Sequence, residues 1–113
     1  MEQPMPTSYK VLGQLSPAAT TVGTAYTVPA STSSIISSIT VANTSGTSRT
    51  YRLAVVKSGG SLATANYLQY DSSLAASIGT ALTLGVTLAT GDTVQVYASG
   101  TGLAFNIFGV ELT

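Results

Sequence analysis

The chain has 113 residues with four basic and four acidic side chains, so its net charge is zero, and it contains neither cysteine nor histidine. This length fits one domain, and the composition excludes disulfides and thiolate metal sites. Four basic residues also provide no positive stripe of the kind that binds nucleic acid.

Charged residues make up only 7% of the chain, compared with roughly a quarter in ordinary globular domains. Serine, threonine and glycine take their place. A surface with few charges and no net charge favours association with other protein surfaces. We therefore expect a homo-oligomer or a component of a larger assembly.

Residues 1–8 contain two prolines and show no hydrophobic periodicity, and we expect an extended N-terminal arm there. Such an arm either stays disordered or orders against a neighbouring subunit. No basic region followed by an apolar stretch marks a signal peptide. No apolar run approaches the roughly 20 residues of a membrane span, so no membrane partner is expected.

Short segments of alternating hydrophobicity fill residues 9–113. Turns rich in glycine, serine and asparagine separate them at intervals of about 8–12 residues. This spacing is typical of an all-β fold, an antiparallel β-sandwich of seven or eight strands with a jelly-roll or immunoglobulin-like arrangement. Residues 62–66 fit a single helical turn. The predicted strands span residues 9–14, 20–29, 35–43, 49–57, 67–71, 82–88, 93–98 and 103–112.

The clearest pattern lies at residues 82–98, where two alternating runs flank an Ala-Thr-Gly-Asp turn, and we expect a β-hairpin there. In the third strand, alternation places Ile35 on the same face as Ile39, with Ile36 opposite. In the last strand the apolar parity changes after Ile107. This change indicates a bulge or a strand that is buried on both faces.

The four acidic residues offer no catalytic pair by position. Glu2 lies in the arm, Asp71 ends a strand, and Asp92 lies in a turn where aspartate is common. Alternation sends Glu111 outward between two apolar neighbours. Glycosidase chemistry needs two carboxylates held close together, and no serine-nucleophile motif occurs either. We predict no enzyme, no catalytic residue, no cofactor and no metal site.

Tyrosine and arginine are the residue types most suited to a contact role. Tyr67 and Tyr70 flank Gln69, and they fit the core, a subunit interface or a platform for a sugar. Arg49 and Arg52 flank Tyr51 and fit either an interface or a solvated face. The predicted partner-binding residues are Tyr9, Arg49, Arg52, Tyr67 and Tyr70.

Six segments, taken in order, resemble small β-domain virion proteins of tailed bacteriophages. They run through nearly the whole chain, although each one alone is an ordinary strand-and-turn pattern. The segments are residues 9–14 (YKVLGQ), 25–30 (AYTVPA), 37–43 (SSITVAN), 51–55 (YRLAV), 84–98 (LGVTLATGDTVQVYA) and 105–111 (FNIFGVE).

The resemblance implies a β-sandwich that serves as a structural component of the particle. Some such proteins are capsid cement or decoration proteins, often trimeric, and others belong to the tail, baseplate or fibre. It therefore implies a virion location, with the major capsid protein or other virion proteins as partners. The first expectation is a trimeric capsid cement or decoration protein. The alternative is a tail, baseplate or fibre component, including a module that recognises a surface glycan.

Overall fold

The computed structural model describes residues 7–113, and this part of the chain contains eight β-strands and one short 3₁₀ helix. The helix, Thr64–Asn66, lies inside the predicted helical turn. The strands are β1 (Thr7–Leu15), β2 (Gly23–Thr27), β3 (Ser33–Asn43), β4 (Arg49–Val56), β5 (Tyr67–Leu74), β6 (Gly79–Leu88), β7 (Thr93–Ala98) and β8 (Leu103–Leu112).

The strands form two four-stranded sheets. The first sheet has the order β1-β8-β3-β6 and the second has the order β2-β7-β4-β5. Within these sheets every neighbouring pair of strands is antiparallel. One long hairpin that is rolled into a sandwich would form four strand pairs, and all four are present: β1 with β8, β2 with β7, β3 with β6 and β4 with β5. The all-β prediction is confirmed, and the topology is a jelly roll rather than immunoglobulin-like.

The predicted hairpin at residues 82–98 is wrong in its pairing, although both strands lie where they were expected. β6 pairs with β3 in the first sheet, whereas β7 pairs with β2 and β4 in the second. The turn between them carries the chain across the sandwich. Asp92 fixes this turn by accepting hydrogen bonds from the backbone N–H groups of Ala89 and Ser58. Alternation identifies the apolar face of a strand but does not identify its neighbour.

The core fills the space between the two sheets. Tyr51 meets Phe105 there in an edge-to-face contact, with ring centroids 6.1 Å apart. Burial of these side chains supplies the main driving force for folding. The most fully buried apolar side chains are Val28, Ile36, Ile39, Val41, Leu53, Leu88, Val94, Val96, Leu103, Phe105 and Ile107.

A bulge in β3 reverses the predicted faces of two isoleucines. The register slips at Ser37 in the pairing with β6 and with β8. Ile36 therefore shares the buried face with Ile39, three residues away, and Ile35 faces outward. Serine is compatible with either face of a strand, so the sequence pattern does not reveal the register shift at Ser37.

The apolar parity change after Ile107 does not come from a bulge within β8. One alternation runs from Leu103 to Leu112, and Gly109 continues its inward series. Phe108 and Val110 lie on the outward face and are half-buried. Gly109 is required because a Cβ atom there would stand 2.1 Å from the backbone oxygen of Ile35.

The first strand begins earlier than predicted. Thr7 and Ser8 belong to β1, where they pair with Leu112 and Glu111 of β8. These two residues are therefore part of the sheet and not of an arm. The rest of the predicted arm, residues 1–6, lies outside the described residues.

Candidate functional site

The outer surface of the first sheet carries a row of exposed apolar side chains. Tyr9 in β1 lies beside Val110 in β8, and Val110 lies beside Ile35 in β3. Val11 and Phe108 form the next row. We call these five residues the apolar face. Tyr9 is 84% exposed, and Val11 and Ile35 are close to half-exposed. Contiguous exposed apolar surface of this kind usually marks an interaction site.

The outer surface of the second sheet carries a cluster of a different character. Arg52 donates hydrogen bonds from Nε and Nη2 to the two carboxylate oxygens of Asp71, at 2.6 and 3.3 Å. Its guanidinium carbon lies 4.2 Å from the ring centroid of Tyr70 and 4.3 Å from that of Tyr97. Tyr70 also meets Tyr67 edge-to-face, with centroids 4.8 Å apart. We call these five residues the aromatic cluster.

Irregular pairing of β5 with β4 assembles this cluster. The register runs from Tyr51 opposite Ser72 to Leu53 opposite Gln69, so both Tyr70 and Asp71 stand opposite Arg52. Asp71 adopts a left-handed backbone conformation with φ of 49°. This is the arrangement of a β-bulge, which re-aims side chains locally.

A second register shift follows, because Ala54 pairs with Tyr67 and Leu68 is passed over. In a regular strand, residues three apart point to opposite faces. Regular alternation would therefore place Tyr67 and Tyr70 on opposite faces, whereas the register shifts bring their rings into contact. Neither ring belongs to the core: Tyr67 is half-buried and Tyr70 is 58% exposed.

An open cleft of about 490 Å³ adjoins the cluster. Its walls are Tyr67 and Tyr70 on one side and the segment Leu62–Thr64 on the other. This volume lies within the range of clefts that bind small molecules. Among residues 7–113, the phenol hydroxyls of both tyrosines and the hydroxyl of Thr64 have no hydrogen-bond partner.

The structure brings together three of the five predicted partner-binding residues. Arg52, Tyr67 and Tyr70 lie in the aromatic cluster, and Tyr9 lies on the opposite face of the sandwich. Arg49 belongs to neither surface. Its Nε donates a hydrogen bond to the backbone oxygen of Thr101, in the turn between β7 and β8.

Sequence reasoning missed Tyr97 and Asp71 as members of the cluster. Tyr97 alternates with buried Val96 and therefore lies on the outer face of β7. Only the strand register shows that it lies opposite Arg52. The hydrogen bond with Asp71, more than any other influence, raises the pKa of Arg52 further above its ordinary value, so this side chain stays charged.

Glu111 lies inside the sandwich, contrary to the predicted outward position. It is 8% exposed, and it is paired with Lys10 across the strands. The hydroxyl of Tyr26 donates to Glu111 Oε2 at 2.6 Å and lies 2.6 Å from the hydroxyl of Ser34. Because the single phenol hydrogen is used on Glu111, Ser34 donates to Tyr26.

This buried chain of hydrogen bonds shifts both ionisable groups. Hydrogen bonds from Lys10 and then from Tyr26 lower the pKa of Glu111. Burial, followed by the bond to Glu111, raises the pKa of Tyr26 to about 12. A buried carboxylate is costly unless it is paired and hydrogen-bonded. The network therefore has a structural role, which is to stabilise the carboxylate of Glu111 inside the sandwich.

Each acidic residue among residues 7–113 has different bonding partners. Asp71 accepts hydrogen bonds from Arg52, Asp92 accepts them from backbone N–H groups, and Glu111 is bonded to Tyr26 and Lys10. Within residues 7–113, no group of three or more potential metal ligands comes together. No helix in this part of the chain is long and apolar enough to cross a membrane.

Neither a protein-family model nor a curated protein matches the chain. Among solved structures, a chain in the structure of infectious bursal disease virus, Gx strain, is similar over 97% of this chain, with a TM-score of 0.54 and 11% sequence identity. A chain in the structure of the Gt strain is similar over 96% of this chain, with a TM-score of 0.51 and 8% identity.

This chain spans only about a third of the length of those two virus chains, 37% and 31% respectively. At such low sequence identity the likeness concerns the fold. A fold similar to this one therefore forms part of a longer chain in each of these virus structures.

Proposed function

We propose that the chain is a non-enzymatic structural protein of a virion and that it acts as a homo-oligomer. The observation that carries this proposal is the exposed apolar face on a jelly-roll sandwich. The fold likeness to a chain of a virus structure adds support, as does the zero net charge, which removes long-range repulsion between copies.

A second copy of the chain is the proposed occupant of the apolar face. Full burial of a valine or isoleucine side chain contributes about 1.5–3 kcal/mol, and the half-exposed Val11 and Ile35 gain roughly half of that. Tyr9 adds the exposed aromatic area that is typical of interface anchors. Several copies joined in this way would bind a particle with added avidity, and binding only the assembled shell would stabilise it by mass action.

Two serine variants test the assembly surface. Tyr9→Ser combined with Ile35→Ser removes two of the five side chains of the apolar face, whereas Leu68→Ser removes a leucine of the second sheet that is as exposed as Ile35. Molar mass is measured by light scattering after size-exclusion chromatography. We expect an oligomer for the wild type and for Leu68→Ser, and monomer for the double variant. An unchanged mass for the double variant would contradict the assignment of this surface.

As its place on the particle we propose the head of a tailed bacteriophage, where the protein acts as a cement or decoration protein and most simply as a trimer. This placement follows from the resemblance of the ordered strand segments to such virion proteins. The test is co-sedimentation with empty phage heads and, separately, with isolated tails. Saturable binding to heads, in a fixed ratio to the shell protein, is the expected result.

A place in the tail, baseplate or fibre is the alternative. Binding to tails alone would establish it, and binding to neither would reject both placements. The predicted arm is tested in the same assay by deleting residues 1–6, which spares Thr7 and Ser8 of β1. We expect weaker binding to the particle, and unchanged occupancy would show that the arm makes no contact.

A further inference from the structure

The aromatic cluster leaves specific chemical groups available at its cleft. Tyr70 exposes more than half of its surface, and Tyr67 forms the adjoining wall. The unbonded hydroxyls of these two residues and of Thr64 can each donate one hydrogen bond and accept others. The cleft therefore combines apolar ring surface with several free hydroxyl groups.

Charge restricts the class of ligand. The charge of Arg52 is already matched by the two-pronged contact with Asp71 and by the rings of Tyr70 and Tyr97. None of the five residues that line the cleft is charged. A phosphate or another anion would find no unmatched positive charge here, so the ligand that fits is neutral.

We propose that this cleft binds a neutral saccharide. A pyranose ring presents C–H groups on its faces, which pack against an aromatic ring, and hydroxyls at its rim, which exchange hydrogen bonds with other hydroxyls. The Tyr70 ring supplies the packing surface. The hydroxyls of Tyr67 and Thr64 hold the rim, and Leu62 and Ala63 complete the lining of the cleft.

The local backbone is built to create this arrangement. Two register shifts within β5 bring Tyr67 and Tyr70 to one face, and the left-handed conformation of Asp71 completes the bulge opposite Arg52. Strained backbone and bulges concentrate at binding sites, where they aim side chains that a regular strand would turn away. Arg52 fixes the orientation of Tyr70 by lying 4.2 Å from its ring centroid.

The cleft and the apolar face lie on opposite outer surfaces of the sandwich, because one belongs to the second sheet and the other to the first. Assembly through the apolar face would therefore leave the cleft open. The saccharide proposal does not rest on the assembly proposal, and each has its own variants.

Saturation-transfer NMR on the full chain tests the proposal. The probes are four neutral tetrasaccharides: cellotetraose, mannotetraose, galactotetraose and chitotetraose. Each is titrated to about 10 mM, so that a Kd on the order of 1 mM, about −4 kcal/mol, is measured. We expect saturable transfer with at least one of them, and no competition from inorganic phosphate.

Matched alanine variants locate the site. Tyr70→Ala should raise the Kd at least tenfold, whereas Ile78→Ala removes an apolar side chain of similar exposure that lies outside both the cleft and the apolar face, and it should leave the Kd unchanged. Tyr70→Phe keeps the ring and should retain most of the binding. Circular dichroism confirms that each variant is folded.

Three results would overturn the proposal. The first is no saturable transfer with any of the four probes. The second is a Kd that Tyr70→Ala leaves unchanged or that Ile78→Ala raises equally. The third is loss of head or tail binding in Tyr70→Ala without saccharide binding in the wild type, which would assign the cluster to a protein contact.

Discussion

Replacing Tyr26 by phenylalanine tests the buried network that joins the two sheets. The substitution keeps the ring in the core and removes the hydroxyl that links Ser34 to Glu111. Hydrogen bonds to charged groups contribute about 1.5–3 kcal/mol, and neutral ones about 0.5–1.5 kcal/mol. Because both partners remain buried, we expect Tyr26→Phe to lower the free energy of unfolding at pH 7 by about 2–3 kcal/mol.

The pH dependence gives a second measure of the surroundings of this hydroxyl, because burial, and after it the bond to Glu111, raises its pKa. The pKa of Tyr26 rises from its ordinary 10.0 to about 12 in the folded protein. A raised pKa means that the contribution to stability is complete below pH 10 and is lost as the pH rises towards 12. At 1.36 kcal/mol per pKa unit, the loss is on the order of 2–3 kcal/mol. The stabilities of wild type and Tyr26→Phe should therefore converge over this range.

Urea unfolding followed by circular dichroism at pH 7 and at intervals from pH 9 to 12 provides both quantities. Tyr70→Phe serves as the control at pH 7, since Tyr70 is exposed and its hydroxyl has no hydrogen-bond partner among residues 7–113, so its stability should match that of the wild type. The reasoning fails if Tyr26→Phe costs less than about 0.5 kcal/mol at pH 7, or if its stability runs parallel to that of the wild type up to pH 12.

Three further predictions concern other parts of the fold, and each is measured by urea unfolding. Gly109→Ala places a Cβ against a backbone oxygen and should cost about 3 kcal/mol, whereas Gly85→Ala meets open space and should cost less than about 1 kcal/mol; equal costs would contradict the close approach. Because the pKa of Glu111 is lowered, its contribution to the free energy of unfolding is present above pH 4.5 and is lost as the pH falls further. Glu111→Gln should therefore lose less stability than the wild type below pH 4.5, and an equal loss would refute this. Asp92→Asn weakens two turn hydrogen bonds and should cost about 1 kcal/mol, and no change would show that the turn holds without them.

Alternation predicted most of the strands because burial on one face imposes a period of two. It located β6, β7 and β8 closely and gave the inward residues of β7 correctly. It could not assign partners, so β6 and β7 were taken for a hairpin although they belong to different sheets. Pairing depends on contacts between residues far apart in the chain, which period-two patterns do not encode.

The buried position of Glu111 was hidden for a related reason. Its neighbours Val110 and Leu112 are apolar, and the pattern assigned them to the core. They cover the outer surface instead, while Glu111 meets Tyr26 from the other sheet. Only the approach of the two sheets reveals that a tyrosine hydroxyl is available to satisfy the carboxylate.

Two failures of alternation coincide with the surfaces proposed for binding. The slip at Ser37 turns Ile35 outward onto the apolar face, and the two shifts in β5 place Tyr67 and Tyr70 beside Arg52. A perfectly regular jelly roll with this sequence would bury Ile35 and separate the two tyrosines. Positions where a local rule is broken are often functional sites, and a contact outside the domain would account for the outward Ile35 and for the two adjacent tyrosines. The bulges thus connect the irregular strands of this chain to the assembly and the saccharide contact proposed for it.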